Sequence, residues 1–391
     1  MKQTLGFTVA LAVTTLFTGA PDVQARGTTP SDADGEVTFT AGLTVHCGDT
    51  LTTHTRLTHD LHCPSSAPFA LQLDGDGIVL DLGGYTIRRT GPENKNSQGI
   101  VIARGWMVRN GTVKGFGRAV MIPPGSGTLN VRLHKLALLD NTSAVYNYAT
   151  TNFLITECRV SGNGVGLNRE LDAGFGGFDV RSSVFTHNEL AMLGDFHSID
   201  VLDSTFTSNG RVFLCWESNI RIRSSTIAWN DAVGNIPNDP GFRLCRQIRF
   251  ENTLIANNAA FAPATDPVWN PLNLSMLDTL VVRNGTGLEA AAGMVYIDGN
   301  TFYDNASGLT LSDRAGFPYT SLTGIVRGNQ FLANDGDGLR VQPPSTPTVL
   351  NNLALGNAGF GIYAPTASDG GGNVARGNTA GDCVGIVCAM Y

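Results

Sequence analysis

The chain has 391 residues, 42% of them apolar and 15% charged, enough to bury a large core. Its 33 acidic residues outnumber 26 Lys and Arg, and a net charge of −7 lacks the basic excess of a nucleic-acid coat protein. With 47 Gly and 17 Pro, turns are frequent and helices few.

Residues 1–25 read as a secretory signal: Lys2, an apolar stretch from Leu5 to Phe17, and small residues at Val23-Gln24-Ala25. Cleavage is expected after Ala25, because Pro21 would follow a cut at Ala20. No later run is apolar enough to span a membrane. Residues 26–36 form a flexible leader, 37–75 an N-terminal cap that includes His54, His59 and His62, 76–382 the repeating body, and 383–391 a closed end. Export permits disulfides. Of seven cysteines, Cys47 and Cys63 staple the start, Cys383 and Cys388 the end, and Cys215 and Cys245 are a third possible pair. Cys158 is left over. No Cys pair has zinc spacing with a nearby His, so no zinc or cofactor is expected, and no Asp cluster has the spacing of a calcium repeat loop, which leaves bound calcium open but without support. Asn110, Asn141, Asn273, Asn284 and Asn305 each begin an N-x-[ST] triplet, the acceptor pattern for glycosylation.

The body repeats. Asn141, Asn163, Asn188, Asn209, Asn230, Asn258, Asn284, Asn305, Asn334 and Asn357 follow one another at intervals of 21 to 29 residues. Eight positions before each stands an apolar residue, from Leu133 and Ile155 to Val326 and Val349. Three positions before stands another, including Val160, Phe185, Phe206 and Phe331. Five positions before, Ser183, Ser204, Ser225, Thr253, Thr279, Asn300, Asn329 and Asn352 form a small polar column, which Cys158 joins as an inward-facing member.

Short runs of period-2 alternation, such as Ile199-Asp200-Val201 and Ile220-Arg221-Ile222, read as strands. Asn and Gly at fixed offsets are expected to supply turns with positive φ. Two or three short strands per two dozen residues, with no helical pattern, predict an all-β, single-domain, right-handed parallel β-helix of about 11–12 coils. Asn and Ser ladders would line its turns, and aliphatic ladders its interior.

Cys47-Gly48-Asp49-Thr50 to Leu61-His62-Cys63, Leu80-Asp81-Leu82-Gly83-Gly84-Tyr85-Thr86-Ile87 and Arg109-Asn110-Gly111-Thr112-Val113 resemble the N-terminal region of secreted pectate-lyase-like β-helix proteins. The later coils are similar to those of polysaccharide lyases and mannuronan C5-epimerases. The resemblance implies action on an acidic polysaccharide, as a uronan lyase or C5-epimerase that removes the proton at C5. That chemistry needs a cation to neutralise the carboxylate and a positioned base. The epimerases' Asp-Pro-His-Glu tetrapeptide does not occur; Gly194-Asp195-Phe196-His197 stands nearest to it.

The strand after the Asn turn carries the functional groups. Tyr148, Glu170, Asp195 and Trp216, each seven residues beyond an Asn, would form one column of roughly 14 Å over three coil spacings. The expected catalytic set is His197 as base, Arg169 as neutraliser, Asp195 and Tyr148. Tyr146, Asn168, Glu170, Asp172, Trp216 and Glu217 are expected to bind sugar. The alternative is a non-catalytic polysaccharide-binding or surface adhesion protein. On the preceding strand Arg132, His134, Asp179, Arg181, Asp200, Arg221, Arg223, Arg249 and Glu251 alternate in sign, a pattern of inter-coil ion pairs. Trp229 and Trp269 are expected to pack beneath their own loops, with a grip on sugar as the alternative. The partner expected is an acidic polysaccharide, met by a monomer, with neither nucleic acid nor membrane.

Overall fold

The computed structural model describes residues 37–39, 44–127, 129–169, 176–195, 198–234, 245–262, 273–291, 293–312 and 321–389. The expected signal and leader lie outside this set, as do Glu170, Asp172, His197 and Trp269.

The short apolar runs form strands because their inward residues have a partner of the same kind one coil away. Val180, Val201, Ile222, Phe250, Met276, Ile297, Val326 and Val349 pair in parallel register, coil upon coil. So do Val160, Phe185, Phe206, Ile227, Ile255, Val281, Phe302, Phe331 and Ala354. All are fully buried. Within the second column Phe185 stacks on Phe206 with centroids 4.9 Å apart, and Phe302 on Phe331 at 5.2 Å. Burying one such side chain contributes about 1.5–3 kcal/mol, so the two columns are the main source of cohesion.

The result is an all-β parallel solenoid of about 13 turns. A ten-stranded sheet runs from Asp49–Leu51 to Ala260–Phe261, and a five-stranded sheet from Leu288–Ala291 to Gly381–Val384 continues on later coils. The remaining strands pair coil to coil on the other faces. The turn count exceeds the expected 11–12 because residues read as a cap join the stack: Asp49–Leu51 pairs with Leu71–Asp74, and Leu61–Pro64 with Thr86–Thr90. Leu51, Leu57, Leu61, Leu71 and Leu73 point into the core there.

The Asn column is a continuous hydrogen-bonded ladder. Each Oδ1 accepts the main-chain N–H and the Nδ2 of the ladder Asn one coil earlier, as from Asn188 to Asn209 and from Asn305 to Asn334. It extends past Asn357 to Asn378, whose N–H and Nδ2 donate to Asp382. A parallel ladder runs Asn300, Asn329, Asn352, Asn373. Positive φ falls on the residue just before each ladder position. As expected, it is taken by glycine at Gly162, Gly299, Gly328, Gly356, Gly372 and Gly377 and by Asn252, Asn257 and Asn351. The ladder Asn residues do not take it, and elsewhere other residues do, among them His187, Ser208, Trp229, Arg283, Asp304 and Ala333 in one column and Glu157, Ser182, Asp203, Ser224 and Asp278 in the other. The ladder side chain closes the turn, and its predecessor takes the left-handed bend. Asn141, Asn284 and Asn305, which begin three of the five glycosylation triplets, are buried in the folded protein.

Three disulfides form: Cys47–Cys63, Cys215–Cys245 and Cys383–Cys388. Cys158 is a free thiol buried in the small polar column. The alternating charges pair along the outer strands: Arg181 with Asp179 at 2.7 Å, Arg223 with Asp200 at 2.9 Å, and both Arg221 and Arg249 with Glu251. Exposed pairs of this kind contribute about 0–1 kcal/mol each.

Candidate functional site

Beyond each ladder Asn from Asn141 to Asn258 the chain crosses a corner and enters the ten-stranded sheet. The next residue stands on a rim (Thr142, Gly164, Glu189, Gly210, Asp231), and the one after it faces outward on a floor. Floor residues Arg118, Ser143, Val165, Leu190, Arg211 and Ala232 pair in register. A second outward column contains Tyr146 and Asn168, then Leu214. Together they line a groove of about 800 Å³. Five rung spacings from Arg118 to Ala232 make it roughly 24 Å long.

Its N-terminal end is built by the corner turn before Gln98. Arg89 pins that turn by donating to the carbonyls of Gly115 and Pro92, and Ser97 Oγ accepts the Gly117 N–H at 2.9 Å. A Cβ at Gly117 would run into the Lys95 carbonyl oxygen, so only glycine lets the turn lie this close. Lys95 is thereby held on the groove wall. Beside it the Arg118 guanidinium lies 4.3 Å from the ring centre of Tyr146 and 5.8 Å from that of Tyr148. The two tyrosine rings are 4.9 Å apart. Asn168 Nδ2 donates to Ser143 Oγ at 3.2 Å, which fixes the amide on the floor.

Among the expected site residues, the groove brings together Tyr146 and Asn168, with Tyr148 against Tyr146. Trp216 pairs in register with Asp195 and is partly exposed. Glu217 sits in the turn beyond, with φ 47°, and bonds Arg246. Arg169 and Asp195 are buried, with 1% and 3% exposure. Burial pushes the Arg169 guanidinium down to about 10, and the Asp195 charge opposes that fall. Arg169 faces inward because strand residues alternate: its register partner is Asn147, also buried, whereas Asn168 faces out. An Arg169 that neutralises a substrate in the groove is therefore corrected to an interior cation. Trp229 corrects a second expectation, being 65% exposed instead of covered by its loop.

The groove contains charged residues the sequence reasoning passed over: Lys95, Arg118, Glu189, Arg211 and Asp231. The repeat offset alone would have found three of them, since Glu189, Arg211 and Asp231 follow ladder Asn residues by one or two positions. Among the described residues no group of three or more His, Cys, Asp or Glu is placed to hold a metal ion, and no helix is long and apolar enough to cross a membrane.

Residues 274–390 match the family described as right handed beta helix region. No curated protein and no solved structure matches the chain. The fold is thus a right-handed parallel β-helix, an architecture that serves carbohydrate-active and structural proteins alike.

Proposed function

We propose that this protein is exported and grips an acidic polysaccharide along the groove of its ten-stranded sheet. The observation that carries the reading is Arg118 stacked on Tyr146 at the groove's end. A guanidinium held over an aromatic face keeps its N–H edge for a carboxylate, and tyrosine rings offer flat apolar surface to a sugar. The three disulfides agree with an oxidising compartment outside the cytoplasm.

A second reading, a uronan lyase of the pectate-lyase-like superfamily or a C5-epimerase, draws support from Tyr148 near Arg118. Arg118 would neutralise the uronate carboxylate, and Tyr148 as phenolate would take the C5 proton. In a lyase the electron pair left at C5 forms the C4–C5 double bond as the C4–O bond breaks, and the leaving oxygen takes up a proton. In an epimerase C5 is reprotonated on the opposite face. The charge-neutralising role falls to Arg118, because Arg169 is enclosed.

Affinity electrophoresis in gels containing alginate, pectate, a glycosaminoglycan or a glucuronoxylan tests the binding reading. Retardation by one of these is expected, reduced in Arg118→Ala and Tyr146→Ala. Equal mobility in all gels would rule it out. Ultraviolet absorbance of unsaturated products, lost in Tyr148→Phe, would shift the assignment to the lyase.

A further inference from the structure

Charge is unevenly placed along the groove. Lys95 and Arg118 share its N-terminal end, where Gln98, three residues past Lys95, pairs with Arg118. Lys95 is exposed and Arg118 half-buried. The nearest carboxylates are Glu93 and Asp140, which line an adjoining smaller hollow together with Lys95 and Arg89. Asp140 is paired there with Lys114 at 3.0 Å, so this end keeps its positive excess. The middle is uncharged, with Ser143 and Val165 on one column and Tyr146 and Asn168 on the next. At the far end Arg211 lies in register between Leu190 and Ala232. Glu189 and Asp231 precede those two residues on the exposed rim, so two carboxylates flank one guanidinium. One end of the groove is net positive and the other net negative.

This arrangement decides what kind of acidic chain fits. A rung spacing of about 4.8 Å is close to the length of one sugar residue, so a bound chain would present roughly one sugar to each rung. A polymer with a carboxylate on every sugar gains attraction at Lys95 and Arg118. It then meets Glu189 and Asp231, and like charges placed face to face oppose association. A chain with one acidic sugar followed by neutral ones keeps the gain and avoids the repulsion. Its uncharged rings would lie over Tyr146, Val165, Leu190 and Leu214, where apolar contact is on offer.

We infer that the groove selects a sparsely charged heteropolysaccharide, with a single carboxylate-bearing sugar seated between Lys95 and Arg118 and neutral sugars along the remainder. The inference rests on the groove being the polysaccharide site. It names the class of acidic chain that site takes.

Titration calorimetry at low ionic strength with two probes of equal length tests it: hexagalacturonate, charged on every unit, and a xylo-oligosaccharide carrying one glucuronate. The singly charged probe is expected to bind about tenfold more tightly, a gap that like-charge contacts at the far end can supply. Lys95→Ala should weaken it by about tenfold, the loss of one charge-assisted contact. Glu189→Gln combined with Asp231→Asn should raise the affinity for hexagalacturonate by a similar factor. Both changes are on exposed rim residues, and an unchanged far-ultraviolet spectrum would verify the fold. Equal or tighter binding of hexagalacturonate to the parent, or no gain in the double variant, would overturn the selectivity while leaving the groove as a polysaccharide site. Failure of both probes to bind the parent would instead overturn the groove reading itself.

Discussion

Asn230 Oδ1 accepts two hydrogen bonds from Asn209, one from its main-chain N–H at 3.0 Å and one from its Nδ2 at 2.9 Å. Asn230 in turn donates from Nδ2 to the carbonyls of Phe206 and Ala228 and to Asn258 Oδ1. An amide is the side chain that can do both, since it offers an acceptor to the coil before and donors to the coil after.

Asn230→Ala strands buried donors and acceptors on two neighbouring coils and is expected to cost about 1–3 kcal/mol for each group left unsatisfied. Asn230→Asp keeps the acceptor and loses the Nδ2 donors, so its carboxyl would face carbonyl oxygens in a dry site. Burial favours the protonated form, which raises the carboxyl's folded-state pKa. The native state then binds more protons than the unfolded one, and stability must fall as pH rises. Urea melts of Asn230→Asp at pH 4 and pH 7 check this; equal stability at both would be inconsistent with the ladder geometry.

Ala333 has φ 48° immediately before ladder residue Asn334 and is exposed. A left-handed bend costs a residue with Cβ about 1–2 kcal/mol, and glycine is spared that cost. Ala333→Gly is expected to stabilise the protein by about 1 kcal/mol after glycine's greater entropy loss is deducted. Thermal melts decide it, and Ala358→Gly, at a position outside the left-handed column, serves as control.

Arg169 and Asp195 are both buried, and their opposite charges act on one another. Removing the Arg169 guanidinium takes an attracting charge away from buried Asp195, and breaking such a buried interaction costs about 3–5 kcal/mol. Arg169→Ala is therefore expected to lower the melting temperature sharply. Arg118→Ala, at the groove surface, is expected to change polysaccharide retention with little change in melting. The reverse pattern would place Arg169 in the binding site after all.

Cys158 donates from Sγ to the Thr156 carbonyl at 3.3 Å and takes the place that Ser183 and Ser204 fill on the following coils. Burial pushes its thiol from 9.0 up to about 12. The native protein should resist alkylation at pH 8 and react once unfolded. Because the folded value is the higher one, the associated stability is present below about pH 9 and is lost as pH rises toward 12. Cys158→Ser copies the hydroxyl of its column neighbours and is expected to change stability by less than about 1 kcal/mol, as a near-isosteric swap that keeps the hydrogen bond.

The solenoid could be read from the sequence because its determinants recur. Val201, Phe206 and Asn209 return at the same offsets coil after coil, and in a parallel stack an equal offset means direct contact. The same logic assigned Cys158 to a structural column. It did not reveal that Asp49–Leu51 and Leu61–Pro64 belong to the stack, because those early rungs lack the ladder Asn that marks the others. Nor did it show which side of the sheet each side chain faces. Arg169 and Asn168 are adjacent in sequence, yet one lies in the core and the other on the groove floor. Strand alternation turns on a single position, and the bend at the corner sets its phase. The meeting of Lys95, Arg118 and Tyr146 was also hidden, since it depends on an enlarged turn packing against Gly117. A repeating sequence specifies which residues become neighbours along the stack. Only the folded backbone decides which of them meet solvent, because that depends on local bends that do not repeat.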